Sequence, residues 1–174
     1  MHVLVATDGE LDTAAAADFA ATLAGGDGRV TVLTVVEVPR AFLNDVRAHW
    51  GVEEGPSVVA DYTYVETPKV HQEGPTGWPG DDALIERYLS DKLLRNTAPL
   101  VRALEARGIE TDARVVESEN VAPTIIEQLV ALDAEVVVIG SHGQGLFQGL
   151  LGSTGTKIVR RSPRPVLLLR SATP

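Results

Sequence analysis

The sequence contains no cysteine, which excludes disulfides, thiolate metal sites and a cysteine nucleophile. No apolar run reaches the roughly 18–20 residues that a membrane-spanning helix needs. Met1-His2 leads directly into Val3-Leu4-Val5, without the basic region and apolar core of a signal peptide. The expectation is a cytoplasmic protein with no membrane partner. No G-x4-G-K-[ST] phosphate loop occurs. The four histidines, His2, His49, His71 and His142, are scattered and lack metal-ligand spacing. No metal site and no catalytic group is therefore assigned.

Acidic residues are missing from one stretch. Residues 140–174 hold Lys157, Arg160, Arg161, Arg164 and Arg170 and no Asp or Glu, in a chain whose net charge is −9. These cations either complement a helix C-terminus or provide a favourable field for a small anion. A long polyanion would meet an acidic surface overall, so no nucleic-acid partner is expected.

What is present is enough for one core: 174 residues, 44% of them apolar. Nearly continuous β-branched or leucine runs predict buried parallel strands at His2–Ala6, Arg29–Val36, Glu135–Ile139 and Val166–Leu169. Ile109–Glu117 alternates, with Ile109, Ala113 and Val115 on one side, and predicts a half-covered edge strand. Helical patterns occupy Asp12–Leu23, with Phe19 and Leu23 on one face and Gly25-Gly26 at its end, and Ala83–Arg107, where Pro99 predicts a kink or break. Two more follow at Val121–Leu132, with Asn120 as cap, and at Gly152–Arg161. The order β-α-β-(insert)-α-β-α-β-α-β implies an α/β fold, an open doubly wound five-stranded parallel sheet with helices on both faces.

The periodicity is lost between Val38 and Asp82, giving a single domain 1–174 with an insertion at about 40–82. This stretch carries Phe42, Trp50, Tyr62, Tyr64 and Trp78, turn signals at Gly55-Pro56, Gly74-Pro75 and Pro79-Gly80, and a short alternating run, Val58–Val65. So long a structureless loop is uncommon in a compact domain, and its aromatic content favours packing at an interface.

Open α/β sheets bind ligands beyond the carboxyl ends of their strands, where strand order reverses. Two strand ends carry suitable residues: Ala6-Thr7-Asp8-Gly9, and Gly140-Ser141-His142-Gly143-Gln144-Gly145. Glycines let successive amides converge on an anion, and Gly152-Ser153 opens a helix whose free N–H groups favour the same charge. Against this stands the simpler reading of a tight strand-to-helix turn with Ser153 as N-cap. Asp8 likewise either starts a turn or accepts hydrogen bonds from a ribose or a base.

These residues resemble those of the universal stress protein family. Val3-Leu4-Val5-Ala6-Thr7-Asp8-Gly9 is similar to its first strand and acidic turn, and Thr34-Val35-Val36 to its second strand. Val136-Val137-Val138-Ile139-Gly140-Ser141-His142-Gly143 is similar to its fourth strand. Gly152-Ser153, Lys157-Ile158-Val159-Arg160 and Pro165-Val166-Leu167-Leu168 resemble its last helix and strand. The resemblance covers the chain except for about residues 40–80. It implies a stress-response regulator that binds ATP or AMP, with or without magnesium, and acts as a homodimer through Val166–Leu169. The ATP-binding pattern G-x2-G-x9-G-[ST] implies phosphate contacts at Gly140, Gly143, Gly152 and Ser153, Asp8 near the adenine or ribose, and the Val36 backbone at the adenine edge. The implied site thus comprises Ala6, Thr7, Asp8, Val36, Gly140, His142, Gly143, Gly145, Gly152, Ser153 and Thr154. Only eight residues separate Gly143 from Gly152, a shortening that Gly145 and Gly149 have the freedom to absorb. The alternative is a dimeric interaction module that binds no nucleotide. Any enzymatic activity is expected to be at most slow ATP hydrolysis or self-phosphorylation, with Ser153 as the candidate acceptor.

Overall fold

In a computed structural model of the chain, the described residues are 1–39, 44–45, 80–141 and 152–170. They form β1 (His2–Ala6), α1 (Thr13–Ala24), β2 (Arg29–Val36), α2 (Asp81–Glu105), β3 (Glu110–Glu117), α3 (Val121–Ala131), β4 (Val136–Gly140), α4 (Ser153–Arg161) and β5 (Val166–Leu169). All strand pairs are parallel, in the order β3-β2-β1-β4-β5. The doubly wound five-stranded sheet is as the sequence pattern implies.

Alternation along the central strands explains the two covered faces. Val3 and Val5 of β1 join Val30, Val32, Val136 and Val138 beneath α1 and α2. Leu4 and Ala6 point the other way and join Leu33, Val137 and Ile139 beneath α3 and α4. Leu4, Leu33, Leu104, Leu129 and Ile158 are completely or almost completely buried. Each such side chain contributes about 1.5–3 kcal/mol relative to its exposed state.

Asp12 starts α1 by accepting the Ala15 N–H at 3.0 Å, and Gly25 ends it at φ 72° with its N–H on the Ala21 carbonyl. The stripe that α1 buries is Ala16, Ala17, Ala20 and Ala24, small residues that let the helix lie close to the sheet. Phe19 instead faces solvent. It sits one position from the alanine stripe, so sharing a face with Leu23 does not bury it. Helix α2 passes through Pro99 without a break. Pro99 is exposed, so the Arg95 carbonyl that loses its helical partner is open to water. Asn120 occupies the N-cap position of α3 without a side-chain capping bond. The Ser118 hydroxyl takes the Asn120 N–H at 3.0 Å and receives the Thr124 hydroxyl at 2.8 Å, fixing the entry to the helix.

The chain divides into two compact units, Met1–Glu37 with Tyr88–Pro174, and Val38–Arg87. The sheet lies wholly in the first. Most of the aromatic-rich stretch, including Trp50, Trp78 and the Val58–Val65 run, lies outside the described residues.

Candidate functional site

Strand order reverses between β1 and β4, because β2 follows β1 on one side and β4 lies on the other. Helix α1, which follows β1, packs on one face of the sheet and α4, which follows β4, packs on the other, the arrangement at which an open α/β sheet binds ligands beyond its strand ends. A cleft of about 390 Å³ lies there. Its floor is apolar: Ala6, Leu33, Val35 and Ile139 from the sheet, Val121 and Ile125 one turn apart on α3, and Ile158 from α4. Its polar rim is Thr7, Asp8, Gly140, Gly152, Ser153 and Thr154, with Gly155 behind them.

The β1 side of the rim is held by local hydrogen bonds. Thr7 extends the β1–β2 pairing by donating its N–H to the Leu33 carbonyl at 2.9 Å. Its hydroxyl accepts the Gly9 N–H at 2.9 Å. The Asp8 carboxylate accepts the Glu10 N–H through Oδ1 at 3.1 Å in an exposed turn on the cleft rim. Gly9 takes φ +98°, a backbone conformation glycine adopts without steric cost.

The opposite rim is the start of α4. Gly152 is the N-cap residue and supplies no side chain; its carbonyl accepts the Thr156 N–H at 2.9 Å. The N–H groups of Ser153, Thr154 and Gly155 precede that first helical bond and receive no side-chain cap among the described residues. Together with the helix dipole they favour an anion at this end of the cleft. Arg160, Arg161 and Arg164 lie elsewhere. Arg160 and Arg161 occupy the last turn of α4, about 12 Å along the axis, and Arg164 pairs with Asp133 at 2.9 Å. Their position matches complementation of the helix C-terminus.

The site residues read from the sequence therefore divide. Ala6, Thr7, Asp8, Gly140, Gly152, Ser153 and Thr154 are brought together around one cleft. His142, Gly143 and Gly145 lie outside the described residues. From β2 the lining residues are Leu33 and Val35. The adjacent Val36 turns its carbonyl toward β3, where it accepts the Ser118 N–H at 3.0 Å. The apolar floor was not singled out from the sequence, although two signals mark it: alternation of Leu33 with Val35, and the i,i+4 spacing of Val121 with Ile125. Among the described residues no group of three or more His, Asp or Glu side chains is placed to hold a metal ion. No described helix is long and apolar enough to cross a membrane.

Comparison with known proteins finds relatives in sequence and in fold. A universal stress protein of Mycobacterium tuberculosis (strain ATCC 25618 / H37Rv) is 34% identical over 142 residues, covering 79% of this chain and 47% of the relative. The chain thus spans about half the length of the curated relatives it matches. Among solved structures, a universal stress protein in complex with cAMP superposes with a TM-score of 0.53 at 18% identity, over 99% of this chain and 98% of the other. An Arabidopsis thaliana family protein with AMP bound gives a TM-score of 0.53 at 12% identity, over 99% and 93% respectively. The model of the universal stress protein family matches residues 1–170, and the chain belongs to that family.

Proposed function

We propose that the chain is a regulatory adenine-nucleotide-binding protein, taking AMP or ATP in the cleft at the β1/β4 switch point. One observation carries this reading: the start of α4, without a side-chain cap among the described residues, opens onto the same cleft as an apolar floor and the Asp8 carboxylate. A purine ring is planar and mostly apolar and suits the floor of Leu33, Val35, Val121 and Ile125. A phosphate suits the N–H groups of Ser153, Thr154 and Gly155. In this reading the Asp8 carboxylate on the cleft rim accepts from a ribose hydroxyl or an exocyclic amine. Charge-assisted hydrogen bonds contribute about 1.5–3 kcal/mol each, and they add to the burial of the base against the apolar floor. The AMP and cAMP complexes among family structures of the same fold support an adenine ligand.

Mass analysis of the denatured protein for copurified nucleotide, followed by calorimetric titration with AMP, ATP, cAMP and adenosine, tests this. Binding of AMP at least about tenfold tighter than adenosine is expected from the phosphate contacts. No copurified nucleotide and no binding at millimolar ATP would defeat it.

The second reading, a dimeric module without nucleotide, rests on β5. This strand ends the sheet opposite β3 and carries the sequence Val166-Leu167-Leu168-Leu169, with Leu168 exposed. An apolar edge strand favours pairing with a second copy. Homodimerisation through β5 is compatible with either reading, and the nucleotide titration separates them.

A further inference from the structure

At the opposite ends of the strands, a second cavity of about 310 Å³ is lined by charged and hydroxyl side chains from β2 and β3 and by His2. His2 is 8% exposed and Thr31 1%. His2 Nδ1 lies 3.1 Å from the Leu132 carbonyl oxygen, and Nε2 lies 2.9 Å from Thr31 Oγ1. Thr31 Oγ1 in turn donates to Asp112 Oδ1 at 2.6 Å, while Arg114 Nε donates to Asp112 Oδ2 at 3.1 Å.

The hydrogens in this chain can be counted. A carbonyl only accepts, so Nδ1 carries a hydrogen. A threonine hydroxyl owns a single hydrogen, yet Thr31 faces two acceptors, Nε2 of a neutral ring and the Asp112 carboxylate. A neutral ring therefore leaves the chain one hydrogen short. A proton on Nε2 completes it: Nε2–H donates to Thr31, and the Thr31 hydroxyl donates to Asp112.

We propose that His2, Thr31 and Asp112 form one proton-operated relay, coupling the protonation of a buried ring on β1 to the side-chain bonding of the β3 edge. Burial lowers the His2 pKa from its ordinary value, and Arg29 on β2 lowers it further, with a smaller contribution from Arg114 on β3. The Leu132 carbonyl and Asp112 oppose them, but the net direction is downward. Two further acidic side chains lie nearby, Glu110 on β3, which lines the cavity, and Glu135, which accepts the His2 backbone N–H at 2.8 Å, and the Met1 ammonium next to His2 donates to the Ala24 carbonyl at 3.1 Å. Near neutral pH the ring is consequently uncharged, and Thr31 divides its hydrogen between two acceptors. On the acid side that hydrogen is committed to Asp112.

A nuclear magnetic resonance titration of the full chain, following the His2 ring nitrogens and the Asp112 carboxyl carbon, tests the relay. The Asp112 signal should inflect at the His2 midpoint. Thr31→Val keeps the side-chain shape but removes the acceptor for Nε2–H. It should lower the His2 midpoint by about one pH unit, the loss of one charge-assisted hydrogen bond, while Thr31→Ser should retain the wild-type midpoint. A midpoint that stays or rises in Thr31→Val overturns the proposal. Asp112→Asn is the second variant should the valine protein fail to fold. Its amide N–H can donate to Thr31 and frees the Thr31 hydrogen for Nε2, so the Nε2 resonance of the neutral ring should shift toward that of a fully hydrogen-bonded acceptor relative to the wild type, and an unshifted Nε2 resonance would also overturn the relay.

Discussion

Gly9 lies directly against Asn96: a Cβ placed on Gly9 would stand 3.2 Å from Asn96 Oδ1 and 3.4 Å from its Cα. Asn96 is itself fixed, because Nδ2 donates to the Thr34 hydroxyl on β2 at 2.9 Å. Helix α2 is thereby seated on the turn that carries Asp8. Gly9→Ala meets both the contact and the positive φ of +98°. It should cost on the order of 1–3 kcal/mol, read from urea unfolding. Displacing the Thr7-Asp8 turn should also weaken AMP binding by about fivefold or more, measured by calorimetry. A stable variant with full affinity would show that the turn is not set by this contact.

Ser153→Asp separates ligand binding from folding, because the two should move in opposite directions. A carboxylate in the first turn of α4 interacts favourably with the helix dipole, by about 0.3–1 kcal/mol. The same charge lies where a phosphate is proposed to bind and repels it. Unfolding midpoints should therefore hold or rise slightly, while AMP affinity falls by about tenfold or more. Unchanged affinity would remove the phosphate from this end of the cleft.

The strands were legible because the sheet is parallel and covered on both faces. Val3-Leu4-Val5 and Val30 to Val36 must be apolar at almost every position, so continuous runs mark them without ambiguity. Burial of β3 alternates, as its half-covered edge position demands. Helix faces were harder to read. In α1 the packing surface is alanine, chosen for closeness rather than hydrophobicity, so the conspicuous Phe19 misleads. Pro99 is tolerated because it meets solvent. The rim of the cleft was readable from glycine and acidic signals at strand ends. Its floor depends on which side of β2 the residue at each position faces, and a single strand pattern does not say which face a ligand uses. The His2–Thr31–Asp112 chain joins residues far apart in sequence, each unremarkable by itself.

Leu168→Lys tests the proposed pairing of β5. A lysine on an edge strand disfavours strand-to-strand association, and the position is 38% exposed in the single chain. Sedimentation velocity should show a dimer for the wild type and a monomer for the variant at the same concentration. Because Leu168 is outside the cleft lining, AMP affinity should change by less than about threefold if one chain contains the whole site. A variant that remains dimeric would place the interface elsewhere.

Acid should weaken the fold through His2. Its folded pKa is held below the ordinary value, first by burial and then by Arg29, whereas the unfolded chain binds a proton at about 6.5. The unfolded state therefore takes up the proton first. The stability linked to this group is fully present above that value and is lost as pH falls through it toward the lower, folded midpoint. His2→Gln removes the titration while keeping an amide able to donate to the Leu132 carbonyl. Urea midpoints should then decline less steeply for the variant than for the wild type between about pH 7 and about pH 5. Carboxylates common to both proteins cancel in this comparison. Parallel declines would mean that His2 titrates alike in both states, and that burial beside Arg29 does not govern its proton.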